Sequence, residues 1–187
     1  MAEDRRVRKT KQAIQDVFCE MIKESTLNEI TIKELCARAD INKSTFYLHY
    51  RDIYDLADSI QNLLIENVCA IIDEYDYNET VEKAPEMWKR IAETHFKDSK
   101  SLGSLMKQSG MISVVNNLEK AVIDTIMKKY VEAGVEQGTE AYFIRHLSVT
   151  FVINGYIGVL REFDVAEIEN AMIRISEKLS TGFNVGI

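Results

Sequence analysis

The chain has 187 residues, three cysteines, one proline and a formal net charge of −7. That length buries a sizeable core without disulfide staples and suits one small module beside one larger domain. The acidity excludes a generally basic nucleic-acid coat, but it is uneven. Residues 1–55 carry ten Lys/Arg against ten Asp/Glu, and the remainder carries thirteen against twenty, so a neutral head precedes an acidic body.

Apolar spacing predicts helices almost throughout, consistent with Pro85 being the sole proline. The first runs from about Arg6 to Glu24, with Ile14, Val17, Phe18, Met21 and Ile22 inward. Five basic groups precede or open it: Arg5, Arg6, Arg8, Lys9 and Lys11. They suit phosphates or a minor groove, or equally a solvated start. The second helix starts after Thr31, whose hydroxyl and Glu34 form a capping box, and ends near Arg38 with Leu35 and Cys36 or Ala39 inward. Ala39-Asp40-Ile41 is the turn, and Asp40 tolerates a left-handed conformation better than most residues. Asn42 caps a short third helix expected to reach Tyr50. Its inner side is Ile41, Thr45, Phe46 and Leu48 or Tyr50. Asn42, Lys43, Ser44, Tyr47 and His49 then point outward, and these types suit phosphates, thymine methyls and base edges. The arrangement is that of a helix-turn-helix. Asp52 caps a long fourth helix, about Ile53 to Tyr75, with Ile53, Leu56, Ala57, Ile60, Leu63, Leu64, Val68, Ile71 and Ile72 inward.

A polar stretch, Asp76 to Ala84, separates this from a second helical region. Short helices are expected around Met87–Lys97 and Lys100–Lys107. A longer one spans about Ile112 to Ala133, and Thr139 caps another from about Glu140 to Arg161. This last is apolar on nearly all sides and needs partners on each of them. In the final helix Val165, Ile168, Met172, Ile175 and Leu179 recur at heptad spacing. The two closing helices offer more apolar surface than one small domain covers, which points to a homodimer built as a four-helix bundle from two chains, or to packing within one chain. Ile157, Ile168, Met172, Ile175 and Leu179 are the candidate dimer contacts, and Gly155 and Gly158 leave room for close helix approach.

Thr31-Ile32, Leu35-Cys36, Ala39, Ile41, Thr45-Phe46-Tyr47, His49-Tyr50, Asp52 and Leu56 together resemble the N-terminal domain of TetR-type transcriptional regulators. The resemblance covers roughly residues 8–60. Asp40 stands where many members have Gly, and Ile53 stands where many have a phosphate-touching Lys. Phosphate contact here would fall to groups such as Arg51 and the N–H groups behind Asp52. The resemblance implies an all-α chain with three parts: a three-helix DNA-binding domain over 1–52, a connecting helix over 53–75, and an effector-binding and dimerisation bundle over 76–187. The DNA-contacting set would be Thr31, Lys33, Asn42, Lys43, Ser44, Thr45, Tyr47, His49, Tyr50 and Arg51. A small-molecule effector would lie among Met87, Trp88, Ile91, Phe96, Met106, Met111, Tyr130, Phe151 and Asn154, although such faces also serve as plain core. Asn154 in an apolar helix would bond a ligand, a neighbouring backbone or its dimer mate.

Cys19, Cys36 and Cys69 are too far apart in sequence for a metal-binding pair and fall on apolar helix sides, where Cys acts as a small hydrophobe. No secretory signal and no bilayer-length apolar run are apparent, so a cytoplasmic protein with no membrane partner is expected. Neither a metal-ligand set, a Gly-rich phosphate loop nor a nucleophile motif is present, and no cofactor or enzymatic activity is expected. The expected function is a dimeric repressor released from a palindromic operator by a small molecule. The alternative is a DNA-bound recruiter of proteins without an effector.

Overall fold

The computed structural model of the chain describes residues 5–76 and 112–162, together with 83, 86–87, 89–91, 171, 174–175 and 178; in the second stretch, side chains are described from 115 to 159. Among the described residues the structure is all-helical. Its helices are α1 (Arg5–Glu24), α2 (Ile32–Arg38), α3 (Lys43–Tyr47), α4 (Ile53–Asp73), α5 (Ile112–Glu132) and α6 (Glu140–Glu162). No described helix is long and apolar enough to cross a membrane.

The head is built on α1. Ile14, Phe18, Met21 and Ile22 recur on one face of it and are buried against Leu35 of α2, Phe46 of α3 and Leu56 of α4. Phe18, Phe46, Leu35 and Leu56 have no exposed surface at all. Full burial of side chains this size contributes about 1.5–3 kcal/mol each, enough to hold helices too short to persist alone.

Side-chain caps fix the helix starts. Thr31 Oγ1 accepts from Glu34 N–H at 3.2 Å, Asn42 Oδ1 from Thr45 N–H at 2.8 Å, and Asp52 Oδ1 from Asp55 N–H at 2.8 Å. The capping box at Thr31 is only half made. Glu34 does not reach back; its carboxylate takes the Arg38 guanidinium at 2.9 Å, one turn along the same helix face. α2 closes with Asp40 at φ 52° and Ile41 N–H bonded to Cys36 O at 3.0 Å. α5 closes in the same way, with Gly134 at φ 96° and Val135 N–H bonded to Tyr130 O at 2.9 Å. Asp40 therefore occupies a backbone position that normally favours glycine, as expected from the turn.

α4 runs from the head into the body. Its first turns bury Ile53, Leu56 and Ala57, and its last turns bury Val68, Ile71 and Ile72. The expected inner face is off by a fraction of a turn in the middle, where Gln61 is buried and Leu63, which lines a cleft shared with α1, is 44% exposed. In the body α5 lies between α4 and α6. Val115, Leu118, Val122, Ile126 and Met127 of α5 join the same core as Ile153, Tyr156 and Ile157 of α6.

Candidate nucleic-acid interface

α3 is shorter than expected. It ends at Tyr47, and His49 N–H turns back to Phe46 O at 2.9 Å. Two aromatic anchors fix it. Phe46 is fully buried, and its ring meets Tyr47 edge-on at 5.6 Å and Tyr50 at 5.8 Å. Between the two residues left open for the inner side, the structure selects Tyr50. That ring is 5% exposed and its hydroxyl accepts from Gln15 Nε2 at 3.3 Å, tying the end of the motif to α1. Tyr50 is therefore a packing residue and leaves the reading surface proposed for it; Leu48 takes the outside, at 80% exposure.

Three of the polar candidates share one oxygen. Asn42 Oδ1 accepts from the Thr45 N–H, from the Thr45 hydroxyl at 2.9 Å and from the Ser44 hydroxyl. Asn42, Ser44 and Thr45 thus lock the first turn of α3, and Thr45 is only half-exposed. Lys43 and Tyr47 stand clear in solvent, Tyr47 at 56% exposure, and His49 is half-buried beside the Tyr50 ring. Thr31 and Lys33 are exposed at the start of α2, with the Thr31 oxygen engaged in its cap.

Arg51 projects fully outward but is tethered. Asp55 accepts from the Arg51 N–H at 2.9 Å and from its guanidinium at 3.1 Å. These two bonds hold the Asp55 carboxyl below the ordinary aspartate range, the backbone bond contributing most. A phosphate meeting Arg51 must compete with that carboxylate, and Ile53 is buried, so no cation occupies its place. The sequence reading overlooked Leu48 and Tyr54. Tyr54 is 55% exposed, and its hydroxyl donates to Asn28 Oδ1 at 2.8 Å.

Arg5, Arg6, Arg8 and Lys9 are exposed along the start of α1. Arg8, Lys11 and Gln15 line one wall of a cavity of about 600 Å³, and Asp55, Asp58 and Asn62 of α4 line the other. Opposite charges face each other across it, unlike the apolar effector pocket expected in the body.

In the body, the expected pocket residues divide. Met87, Ile91 and Tyr130 are buried in the common core, with the Arg145 guanidinium 5.5 Å above the Tyr130 ring. Phe151 and Asn154 are not buried. Phe151 is 68% exposed, and Asn154 is an exposed amide donating to Glu119 at 2.8 Å and to Thr150 O at 3.0 Å, a bond back along its own helix. Trp88, Phe96, Met106 and Met111 lie outside the described residues. Among the expected dimer contacts, Ile157 is 5% exposed and packs inside its own chain, so it has little surface left to offer a partner. Ile175 is 42% exposed; Ile168, Met172 and Leu179 lie outside the described residues. The apolar surface of α6 is instead Phe143, Leu147 and Phe151, spaced one turn apart at 61%, 52% and 68% exposure, with Ile144 beside them at 43%. Beyond their own helix backbone, no described atom lies within 4 Å of where a Cβ would stand on Gly155 or Gly158. No group of His, Cys, Asp and Glu suited to a metal occurs among the described residues.

A TetR-family transcriptional regulator, so described, from Syntrophomonas wolfei str. Goettingen superposes with a TM-score of 0.65 at 16% identity, over 96% of this chain and 99% of that one. The chain has the TetR-family fold. A gamma-butyrolactone receptor, an ArpA-like protein, superposes with a TM-score of 0.52 at 14% identity, over 95% and 96% of the two chains. No family model matches the chain, and no curated protein matches it significantly. The TetR-family fold thus spans nearly the whole chain, well beyond the head that carries the sequence resemblance.

Proposed function

We propose that the protein is a dimeric, sequence-specific DNA-binding transcriptional regulator, acting as a repressor released from a palindromic operator by a small-molecule effector. The observation that carries the DNA reading is the outer surface of α3. Lys43, Tyr47 and Leu48 stand in solvent on a helix whose position is fixed from behind by Phe46 and Tyr50. A phenol, an ammonium and an aliphatic side chain offer a hydrogen bond, a phosphate contact and a thymine-methyl contact.

The second copy follows from two arguments. One short helix buries too little surface for specific affinity, so two half-sites must be held together. Phe143, Leu147 and Phe151 supply the apolar stripe that a second chain would cover, and a stripe of this kind is uncommon on a monomer. Effector control is supported by the fold neighbour named as a gamma-butyrolactone receptor, which shows the TetR-family fold holding a small-molecule receptor. Release then follows if the effector prefers a dimer whose reading helices no longer match the groove spacing.

Selection of bound duplexes from a randomised pool tests the proposal, with Tyr47→Ala as control. The wild type is expected to enrich a palindrome. The variant should lose about 1–3 kcal/mol of specific binding while keeping its fold, since the ring is largely solvent-exposed. Failure to enrich any sequence at low salt would refute the reading and turn attention to protein partners.

A further inference from the structure

α4 is the element shared by the head and the body, and two cations grip its C-terminal end. The last carbonyls of a helix lack intrahelical partners, and that end carries partial negative charge. Lys129 of α5 answers both needs. Its ammonium donates to Asp73 O at 2.9 Å and to Tyr75 O at 2.8 Å, and lies 3.6 Å from the Asp73 carboxylate. The Lys129 side chain is only 13% exposed, and its bond to Tyr75 O is partly shielded from water, whereas the Asp73 carboxylate is solvent-exposed. From another side Arg90 forms a two-pronged pair with Glu74, the residue between them. Met87 and Ile91, on either side of Arg90 in sequence, are buried and anchor that segment to the core.

The grip has mechanical leverage. At about 1.5 Å per residue α4 is roughly 31 Å long, so a tilt of about 10° around its held end moves the head by roughly 5 Å. Lys129 stands on the helix that also packs on α6, the bearer of the exposed apolar stripe. A displacement of α5 therefore carries the end of α4 with it or breaks the ammonium contacts.

We propose that Lys129, seconded by Arg90, is the positioning residue that fixes the angle of α4 and thereby the separation of the two DNA-reading helices. This rests on the DNA-binding reading above and names the residue through which body and head are coupled. The ammonium touches no DNA; it acts through the carbonyls of Asp73 and Tyr75. Methionine keeps the unbranched apolar stem of Lys129 but cannot donate, whereas arginine retains charge and donors.

Full-length wild type, Lys129→Met, Lys129→Arg and Arg90→Met are compared on the selected palindrome and on versions with the half-site spacing changed by one or two base pairs. In parallel, spin labels introduced as noncanonical residues at the exposed positions Ala37 and Glu136 report the distance between head and body. The wild type should prefer one spacing by about tenfold or more, and Lys129→Met should reduce that preference to about threefold or less. The label distance should broaden in Lys129→Met, and Lys129→Arg should restore both measurements. Arg90→Met, at a more exposed site, should show a smaller effect of the same kind and serves if Lys129→Met does not fold. Folded Lys129→Met with the wild-type spacing preference and an unbroadened distance overturns the proposal, because a residue of merely structural importance lowers melting temperature without altering spacing preference. If the wild type selects no duplex, the DNA reading has failed, and the label distance alone decides whether Lys129 sets the angle.

Discussion

Head and body bury similar side chains but differ in what they leave outside. The exposed large residues of the head are Tyr47, Leu48 and Tyr54, set among capping groups that satisfy the helix starts. On α6 the exposed residues are Phe143, Ile144, Leu147 and Phe151, which have no polar tip to present to water. The head offers a surface suited to a polar, charged partner. The body offers a surface that water wets poorly, as the unassembled half of an interface does. Completeness of packing and readiness for a partner are thus separate properties, distributed between the two ends of one chain.

The largest expected break in this contrast is inside the head. Phe46→Ala should cost about 3–5 kcal/mol, because the ring is fully buried and holds a helix of five residues against α1. Denaturant unfolding followed by circular dichroism would measure it, and a loss under about 1 kcal/mol would show that α3 is held elsewhere. Next comes the body. Leu147→Glu places a charge in the middle of the apolar stripe and should weaken dimerisation by roughly 2 kcal/mol or more, about thirtyfold in Kd, with little change in monomer stability. Sedimentation equilibrium reads this directly; an unaltered dimer would move the interface off this stripe.

A smaller effect is expected at the cap. Asn42→Ala removes the oxygen shared by Ser44 and Thr45 and should cost about 1 kcal/mol by the same unfolding assay. Loss of DNA affinity beyond that cost would show that Asn42 also reads bases. The smallest concerns acid. The Asp55 pKa is lowered in the folded chain, so the stability this group adds is complete above the ordinary aspartate range and disappears as pH falls through the folded value. Asp55→Asn should therefore narrow the stability difference between about pH 7 and about pH 3. An identical difference in both proteins would mean that the Arg51 tether contributes nothing to folding.

How far the sequence foretold these features depends on what fixes each residue. Asn42, Asp52 and Thr139 as caps, and Asp40 in the turn, were legible because a cap or a left-handed turn is decided within four residues. The buried ring of Tyr50 was not, since periodicity leaves Leu48 and Tyr50 equivalent, and packing in the head core and on Gln15, thirty-five positions earlier, distinguishes them. The half-made box at Thr31 failed for a similar reason: Glu34 had a second suitor in Arg38, and local spacing does not rank the two. On α6, apolar residues all around the helix left its phase undetermined. The pattern alone allows Ile157 outward and Phe151 inward, whereas packing on α5 sets the reverse. No spacing rule would have paired Lys129 with the end of α4, because those partners meet only once the body has folded.

The division of labour on α3 has an evolutionary consequence. Phe46, Tyr50 and the Asn42 oxygen hold the helix, while Lys43, Tyr47 and Leu48 are exposed, Tyr47 keeping one ring contact with Phe46. The two sets share no residue. Mutation can therefore rewrite the outward set, drifting from one recognised sequence to another, while the scaffold beneath remains intact and selection on folding stays silent.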